Sequence, residues 1–248
     1  NQGGWTESSW TNLRRVNYML DNMHRCRGRV SDEVYNHYEG VARFWRAWFY
    51  YDKVRTFGAV PWYDFTISAS DKEALTKPRD SREYVMDKVL EDLTFASTYC
   101  LADAKYTKGS ALINKWVALA FKSRVCLFEA AYRRYHNLTG LEITPEELYR
   151  EAAKAAKLVI DNSGCSLNTA AGKKGAYRDL FYSETPLTQE VILAVCANEK
   201  SGIFGEQNWW FNARSYGLCW SLVRSFVHTY LKPVSYTHLR AHETRSNL

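Results

Sequence analysis

The sequence predicts a mainly α-helical fold of antiparallel helix hairpins stacked side by side, with a loop-rich segment and one short strand after about residue 165. Three observations predict it. Apolar and aromatic residues recur at three- and four-residue steps, most densely at Phe44, Ala47, Trp48, Tyr51 and Val54 with Arg55 closing the row, a spacing that keeps side chains on one helix face. Helix-start and helix-stop chemistry brackets such stretches at Ser31, Asp80 and Thr144 and at Gly58 and Gly164. Small residues (Ala118, Ala120, Ala152, Ala153 and Ala156) recur where neighbouring helices must come close, as in arrays whose helix pairs each bury a face on the next. The chain has 248 residues, 46% of them hydrophobic, enough for such a core. No apolar run reaches the roughly 18 residues of a membrane-spanning helix.

In chain order, Trp10, Leu13 and Asn17, followed by Met19 and Leu20, predict a first helix over about 8–25. Ser31 caps the second, with Asp32 and Glu33 in the first turn where the helix dipole favours acids. It runs to about Phe57, where Gly58 supplies a left-handed end and Pro61 forbids continuation. A polar loop follows from Tyr63 to Arg79. Asp80-Ser-Arg-Glu83 reads as a capping box opening a helix with Val85, Val89, Leu93 and Ala96 on one face. Another helix is predicted over about 110–136, with Ile113, Val117, Ala120, Arg124, Leu127 and Phe128 in register. Thr144-Pro145-Glu146-Glu147 supplies cap, first-turn proline and third-position glutamate for a helix ending at Gly164. Beyond it, 170–175 reads as loop, Tyr177 to Phe181 as a helical turn, Glu190 to Cys196 as a buried strand, and Gly217 to Leu231 as helix.

Composition narrows the function classes. The net charge of +6 is scattered along helices, and the densest basic group, Arg25, Arg27 and Arg29, reads as a solvated helix end rather than the basic stripe with stacking groups that nucleic acids require. None of the six cysteines stands in a C-x-x-C pair, which disfavours a zinc or redox site. Cys100 and Cys126 lie among apolar neighbours and are expected as buried thiols. His24, His37, His136 and His228 are far apart and read as packing or surface residues. No nucleophile elbow, phosphate loop, dinucleotide fingerprint or H-E-x-x-H pair is present. A glycosidase needs two facing carboxylates, and nothing singles out Glu184, Glu190, Glu199 or Glu206.

The segment Gly40 to Asp64 resembles the signature helix of the SusD/RagB family, an Arg-Phe-x-Arg-Ala helix rich in aromatics that ends in a Phe-Gly-x-Val-Pro turn. The matching positions are Arg43, Phe44, Arg46, Ala47, Phe57, Gly58, Val60 and Pro61. Further blocks follow in the family's order: Trp10, Leu13 and Asn17; Lys77 to Asp80 with Glu91, Asp92 and Leu93; Lys122, Arg124, Val125 and Leu127; the alanine-rich stretch to Gly164; Tyr177 to Phe181; and Leu222, Val223 and Phe226. The resemblance covers about 8–231 and implies tetratricopeptide-like stacking. It divides the chain into a helical nutrient-binding domain over 1–232, short of the family's lipoprotein signal and C-terminal part, and a tail over 233–248 that reads as cloning read-through. In that tail His238 and His242 stand at metal-pair spacing and carry no expectation of a site.

The resemblance implies a surface-exposed lipoprotein of the outer membrane that binds glycans and works as a lid over a TonB-dependent transporter of SusC type; no cofactor and no metal-site residue is expected from the sequence, which leaves calcium dependence open. Sugar rings expose C–H faces and hydroxyls, so recognition calls for flat aromatic platforms beside amide or guanidinium groups. Asn208, Trp209, Trp210, Asn212, Arg214 and Tyr216 supply both in nine residues, and Trp5 precedes the first helix, where the family also draws binding aromatics. Each of Trp209 and Trp210 is as readily a core plug as a platform. Trp45, Trp48, Trp62 and Trp116 are expected as packing residues, since they lie in helical stripes or a tight turn. A helical-repeat scaffold for a protein, or a peptide-binding subunit of an uptake complex, is the alternative, and an enzyme stands a distant third.

Overall fold

A computed structural model describes residues 5–107, 111–183, 185–195, 202, 215 and 222–229, with the side chains of 7, 104, 107 and 173 left undescribed. Residues 1–196 form one compact unit and residues 197–248 a second. Within the first unit the helices are α1 (Glu7–Asn22), followed by the 3-10 turn Met23–Cys26, then α2 (Asp32–Phe57), α3 (Lys72–Leu75), α4 (Arg82–Tyr99), α5 (Ala104–Thr107), α6 (Lys115–Tyr135), α7 (Pro145–Asn162) and α8 (Gly172–Tyr182). In the second unit α9 (Arg224–Thr229) is described, inside the helix expected there. The expectation of a mainly helical fold holds.

Caps set most boundaries. The Ser31 hydroxyl accepts from the Val34 N–H, and Thr144 with Glu147 forms the reciprocal box that the sequence predicts. Gly58 ends α2 at φ 71°, a left-handed conformation that a side chain would strain. Two starts differ from expectation. Ser81, not Asp80, caps α4, because the Asp80 carboxylate accepts from the Trp62 N–H at 2.7 Å and pairs with Lys77 at 2.6 Å. That ties the turn after Pro61 to the start of α4. Asn114 caps α6 by accepting from the N–H groups of Trp116 and Val117, so the helix opens later than periodicity suggests.

The helices stack as α2 on α4 and α6 on α7, with α4 against α6 and α1 across α2. The connection within the α6–α7 pair is short, whereas the α2–α4 connection is a long folded loop. Val85, Val89, Leu93 and Ala96 of α4 are fully buried, as their spacing predicts. Leu148, Ala152, Ala155 and Val159 form the buried row of α7, while Ala153 is exposed.

Two buried ion clusters clamp the stack. Arg46 of α2 donates to both carboxylate oxygens of Asp92 in α4, at 2.6 and 2.8 Å, and Arg43 reaches the same carboxylate at 3.3 Å. Between α4 and α6, Arg82 donates to both oxygens of Glu129 at 2.9 and 2.7 Å, and Arg133 donates to Glu129 and Asp87 at 2.7 and 2.6 Å. Charges this deeply buried persist only when paired in this manner.

The strand expected over 190–196 does not form in residues 190–195, and Cys196 lies outside the described residues. A strand needs a ladder of backbone partners, and the neighbouring segment contributes one backbone bond, Ser166 N–H to Gln189 O at 2.8 Å. The Glu190 and Val191 N–H groups instead close a turn on Leu187 O, and Ile192 and Leu193 pack half-buried against the helical core. The loop expected over 170–175 is shorter than anticipated, since α8 starts at Gly172.

Candidate functional site

Of the sequence-predicted site residues, Trp5 is described. Asn208, Trp209, Trp210, Asn212, Arg214 and Tyr216 lie outside the described residues. Trp5 stands just before α1 and is half-buried, with its ring edge-on to Trp10 at 5.3 Å and to Phe57 at 4.9 Å. The Arg79 guanidinium lies 4.9 Å from the Trp5 ring centre. These contacts fix the indole without covering it.

Trp5 lines a cleft of about 490 Å³ between the first half of α1 and the loop that follows α2. Trp10, Leu13, Arg14 and Asn17 come from α1, Tyr63, Phe65 and Ile67 from the loop, and Leu75 from α3. The lining is mainly apolar with a few convergent polar groups, the usual make-up of a small-ligand pocket. The sequence supports this placement, since Leu13, Arg14 and Asn17 stand three, four and seven residues after Trp10 and so share its face. Trp10 also sits 5.3 Å from Phe49 and 6.4 Å from Tyr63, edge-on to both. Phe65 is 45% exposed, which leaves an open ring at the cleft wall.

Its polar groups divide into fixed and available. Arg14 donates to Ile67 O at 2.6 Å, and the Asn17 amide donates to Tyr63 O at 2.9 Å and Phe65 O at 3.0 Å, so both hold the loop onto α1. The Oδ1 of Asn17 has no hydrogen-bond partner. The Tyr63 N–H donates to the Tyr50 hydroxyl at 2.6 Å, and the Tyr63 hydroxyl donates to Ala74 O at 2.7 Å. Burial raises the pKa of both phenols, which stay neutral. On the neighbouring face of α2, the Lys53 ammonium sits among the rings of Trp10, Phe49 and Phe57 at 5.1–5.8 Å, and burial lowers its pKa.

Sequence reasoning missed most of this cleft. Trp10, Leu13 and Asn17 were read as helix pattern and Phe65 as part of a polar loop, although an exposed phenylalanine beside Tyr63 was the available signal. It also expected Trp45 and Trp48 as packing residues, and they are 44% and 38% exposed. Helical spacing places a residue on a face but does not say how far neighbouring helices extend over it. Trp62 is buried as expected, and Trp116 is half-buried against Leu119, Ala155 and Val159.

Among the described residues no group of three or more histidine, cysteine, aspartate or glutamate side chains is arranged to hold a metal ion. Among them also, no helix is long and apolar enough to cross a membrane. Burial pushes the Cys100 and Cys126 thiols up to about 12 and about 11, which fits their expected role as small hydrophobes.

Comparison with known proteins adds sequence and fold relationships. The SusD-like family, described as starch-binding and associating with the outer membrane, matches residues 4–127, half of the chain. A curated relative, SusD-like protein P2 of Formosa agariphila, is 33% identical over 94 residues, covering 38% of this chain and 18% of the relative. Among solved structures, NanU of B. fragilis superposes with a TM-score of 0.59 at 20% identity, over 79% of this chain and 36% of that one. A crystal structure with xylogluco-oligosaccharide gives a TM-score of 0.57 at 24% identity, over 79% of this chain and 35% of that one. The chain thus spans about a fifth of the curated relative and a third of the solved ones, and the structural likeness establishes the shared fold.

Proposed function

The chain belongs to the SusD-like family, and from that premise we propose that it captures oligosaccharides at the cell surface and passes them, unhydrolysed, to a TonB-dependent outer-membrane transporter. The observation that carries this reading is the cleft at Trp5. It brings the indoles of Trp5 and Trp10 and the open ring of Phe65 together with Arg14 and with Asn17, whose Oδ1 lacks a donor. Ring faces beside polar groups are what a sugar presents surfaces for. The family's association with starch and the outer membrane supports the ligand class and the location, and the neighbour solved with a xylogluco-oligosaccharide supports the ligand class. The sequence over 208–216 contains further aromatic and amide side chains of the same kinds.

Binding of this sort is weak. Each ring contact contributes on the order of 1 kcal/mol beyond burial, and each hydrogen bond a similar net amount. After ordering costs, two or three rings give a dissociation constant nearer about 1 mM than 1 nM. A protein that must release its cargo to a transporter works in that range.

Affinity-gel retardation on a panel of plant and host polysaccharides tests the reading, with reducing-end release followed in the same samples. Retardation without release is expected, and Trp209→Ala with Trp210→Ala, or Trp5→Ala, should reduce it while the thermal unfolding curve is kept. New reducing ends would make the protein an enzyme. Capture of the transporter with no retardation on any glycan would favour the scaffold reading.

A further inference from the structure

Away from the cleft, α2 presents two indoles on another face. Trp45 and Trp48 belong to a row with Asp52 and Arg55, whereas Phe49, Lys53 and Phe57 run along the neighbouring face toward Trp10. The two indoles are open on one side and backed on the other. The Trp48 ring stacks on Phe121 of α6 at 4.5 Å with 20° between planes, and Trp45 sits 6.1 Å from Trp48 at 54°. Phe44, fully buried, touches both from beneath at 5.5 and 5.9 Å. Aromatic side chains on a core helix ordinarily finish buried. Two adjacent indoles that are rigidly supported and yet 44% and 38% exposed form a ready pair of tilted platforms.

Charge lies beside them. Arg55 is exposed, with its guanidinium 5.4 Å from the Tyr51 ring centre, and Tyr51 meets Phe121 edge-on at 5.5 Å. Arg124 of α6, one turn beyond Phe121, is also exposed and close enough for its charge to act on the Tyr51 hydroxyl. Among the described residues neither Arg55 nor Arg124 has a carboxylate partner, whereas Arg43, Arg46, Arg82 and Arg133 all do. Asp52 is the exposed acid in the row, and among the described residues its carboxylate has no hydrogen-bond partner, so the face sets two guanidiniums against one carboxylate.

We propose that this face is a second saccharide-binding surface, selective for glycans that carry carboxylates, with Trp45 and Trp48 stacking on sugar rings and Arg55 and Arg124 pairing with a uronate. The indole spacing is comparable to the repeat of a pyranose chain. A guanidinium matches a carboxylate through two parallel N–H donors, which a neutral hydroxyl does not reciprocate. Asp52 accepts from ring hydroxyls. A protein partner would call for a wider continuous apolar patch than two indoles provide, and for paired rim charges rather than two unpaired ones. The inference rests on the glycan-capture reading and adds to it a separate surface and a charge preference.

The test compares an oligogalacturonate with its fully methyl-esterified, neutral form by calorimetric titration and tryptophan fluorescence. The acid form should bind at least about tenfold more tightly than the ester at low salt and lose that margin as salt rises. Trp45→Ala should lose most of the acid-form binding while keeping the retardation by neutral glycans. Because Trp48 packs on Phe121, Trp45→Ala is the safer variant for folding, and a circular-dichroism melt checks it. Arg55→Gln with Arg124→Gln should bring acid and ester to equal affinity. Equal affinity in the unsubstituted chain, or unchanged acid binding in Trp45→Ala, overturns the proposal. Neutral glycans that bind and respond to Trp5→Ala, with no uronate binding, remove this surface and leave the cleft reading standing. If no saccharide binds at all, both fall.

Discussion

His37 of α2 is 2% exposed, and its Nδ1 accepts from the Leu101 N–H at 3.0 Å, which places the ring proton on Nε2. Tyr106 lies 4.2 Å from the ring and Tyr38 5.0 Å, with Lys105 nearby and the Cys100 thiol against the His37 carbonyl. Burial, reinforced by the Lys105 charge, lowers the His37 pKa below its ordinary 6.5. Above that value the ring is neutral in both folded and unfolded chains, and full stability is present. As the pH falls below it, the unfolded chain takes up a proton that the folded ring resists, so stability is lost toward the folded value. The thermal midpoint should therefore drop between about pH 7.5 and about pH 5.5, and drop less in His37→Asn. Equal drops in both chains would assign the effect to other groups. The sequence reads that histidine as a packing or surface residue, and only the fold shows that it joins α2 to the chain leaving α4.

At the scale of elements, α2 and the end of α4 come close together at Gly40. A Cβ there would lie 2.8 Å from the Cys100 sulfur and 3.4 Å from the Ala96 Cα. Glycine is tolerated mid-helix because the partner helix occupies the space a side chain would need. Gly40→Ala should cost about 1–3 kcal/mol in urea unfolding despite its higher helix propensity. Cys100→Ala in the same chain should make the loss less than the sum of the two single changes. Additive losses would show that the sulfur is not the obstacle. Helix existence was largely readable beforehand because caps are local: Ser31, Thr144 with Glu147, and Gly58 behave as their neighbours dictate. The misreadings fall where distant groups compete. Asp80 has the local pattern of a cap, but the N–H of Trp62, eighteen positions away, claims its carboxylate. The strand at 190 failed because strands need partners that no local pattern can supply.

At the scale of the whole helical unit, the two helix pairs are joined through Glu129. It receives Arg82 from α4 and Arg133 from its own helix, and is fully buried. Glu129→Gln leaves Arg82 without a counter-charge and Arg133 with Asp87 alone, and should cost about 3–5 kcal/mol, seen as a lowered urea midpoint. Adding Arg82→Met should return part of that loss, since an apolar side chain needs no partner; no recovery would mean that packing rather than charge dominates. The stacked architecture was legible because helical periodicity and small-residue faces are written along the chain. The candidate site was less so. Trp5 stands out in the sequence, but its cleft-mate Phe65 is brought to it by a loop whose path depends on Asn17 bonding across 46 and 48 positions. Exposure of Trp45 and Trp48 likewise depends on where α6 ends its overlap, which spacing along α2 does not encode.

The clamp of Arg46 on Asp92, with Gly58 turning the chain and Pro61 buried behind it, has a corollary for kinship. These are among the positions by which the chain is recognised as a relative, and they keep α2, its exit turn and α4 together. Arg46, Asp92 and Gly58 are not at liberty to choose cargo, and Pro61 meets the cleft only as part of its wall. Two members could therefore share this recognisable motif intact while their diets drift apart, because appetite is decided by rings and loops lying outside it.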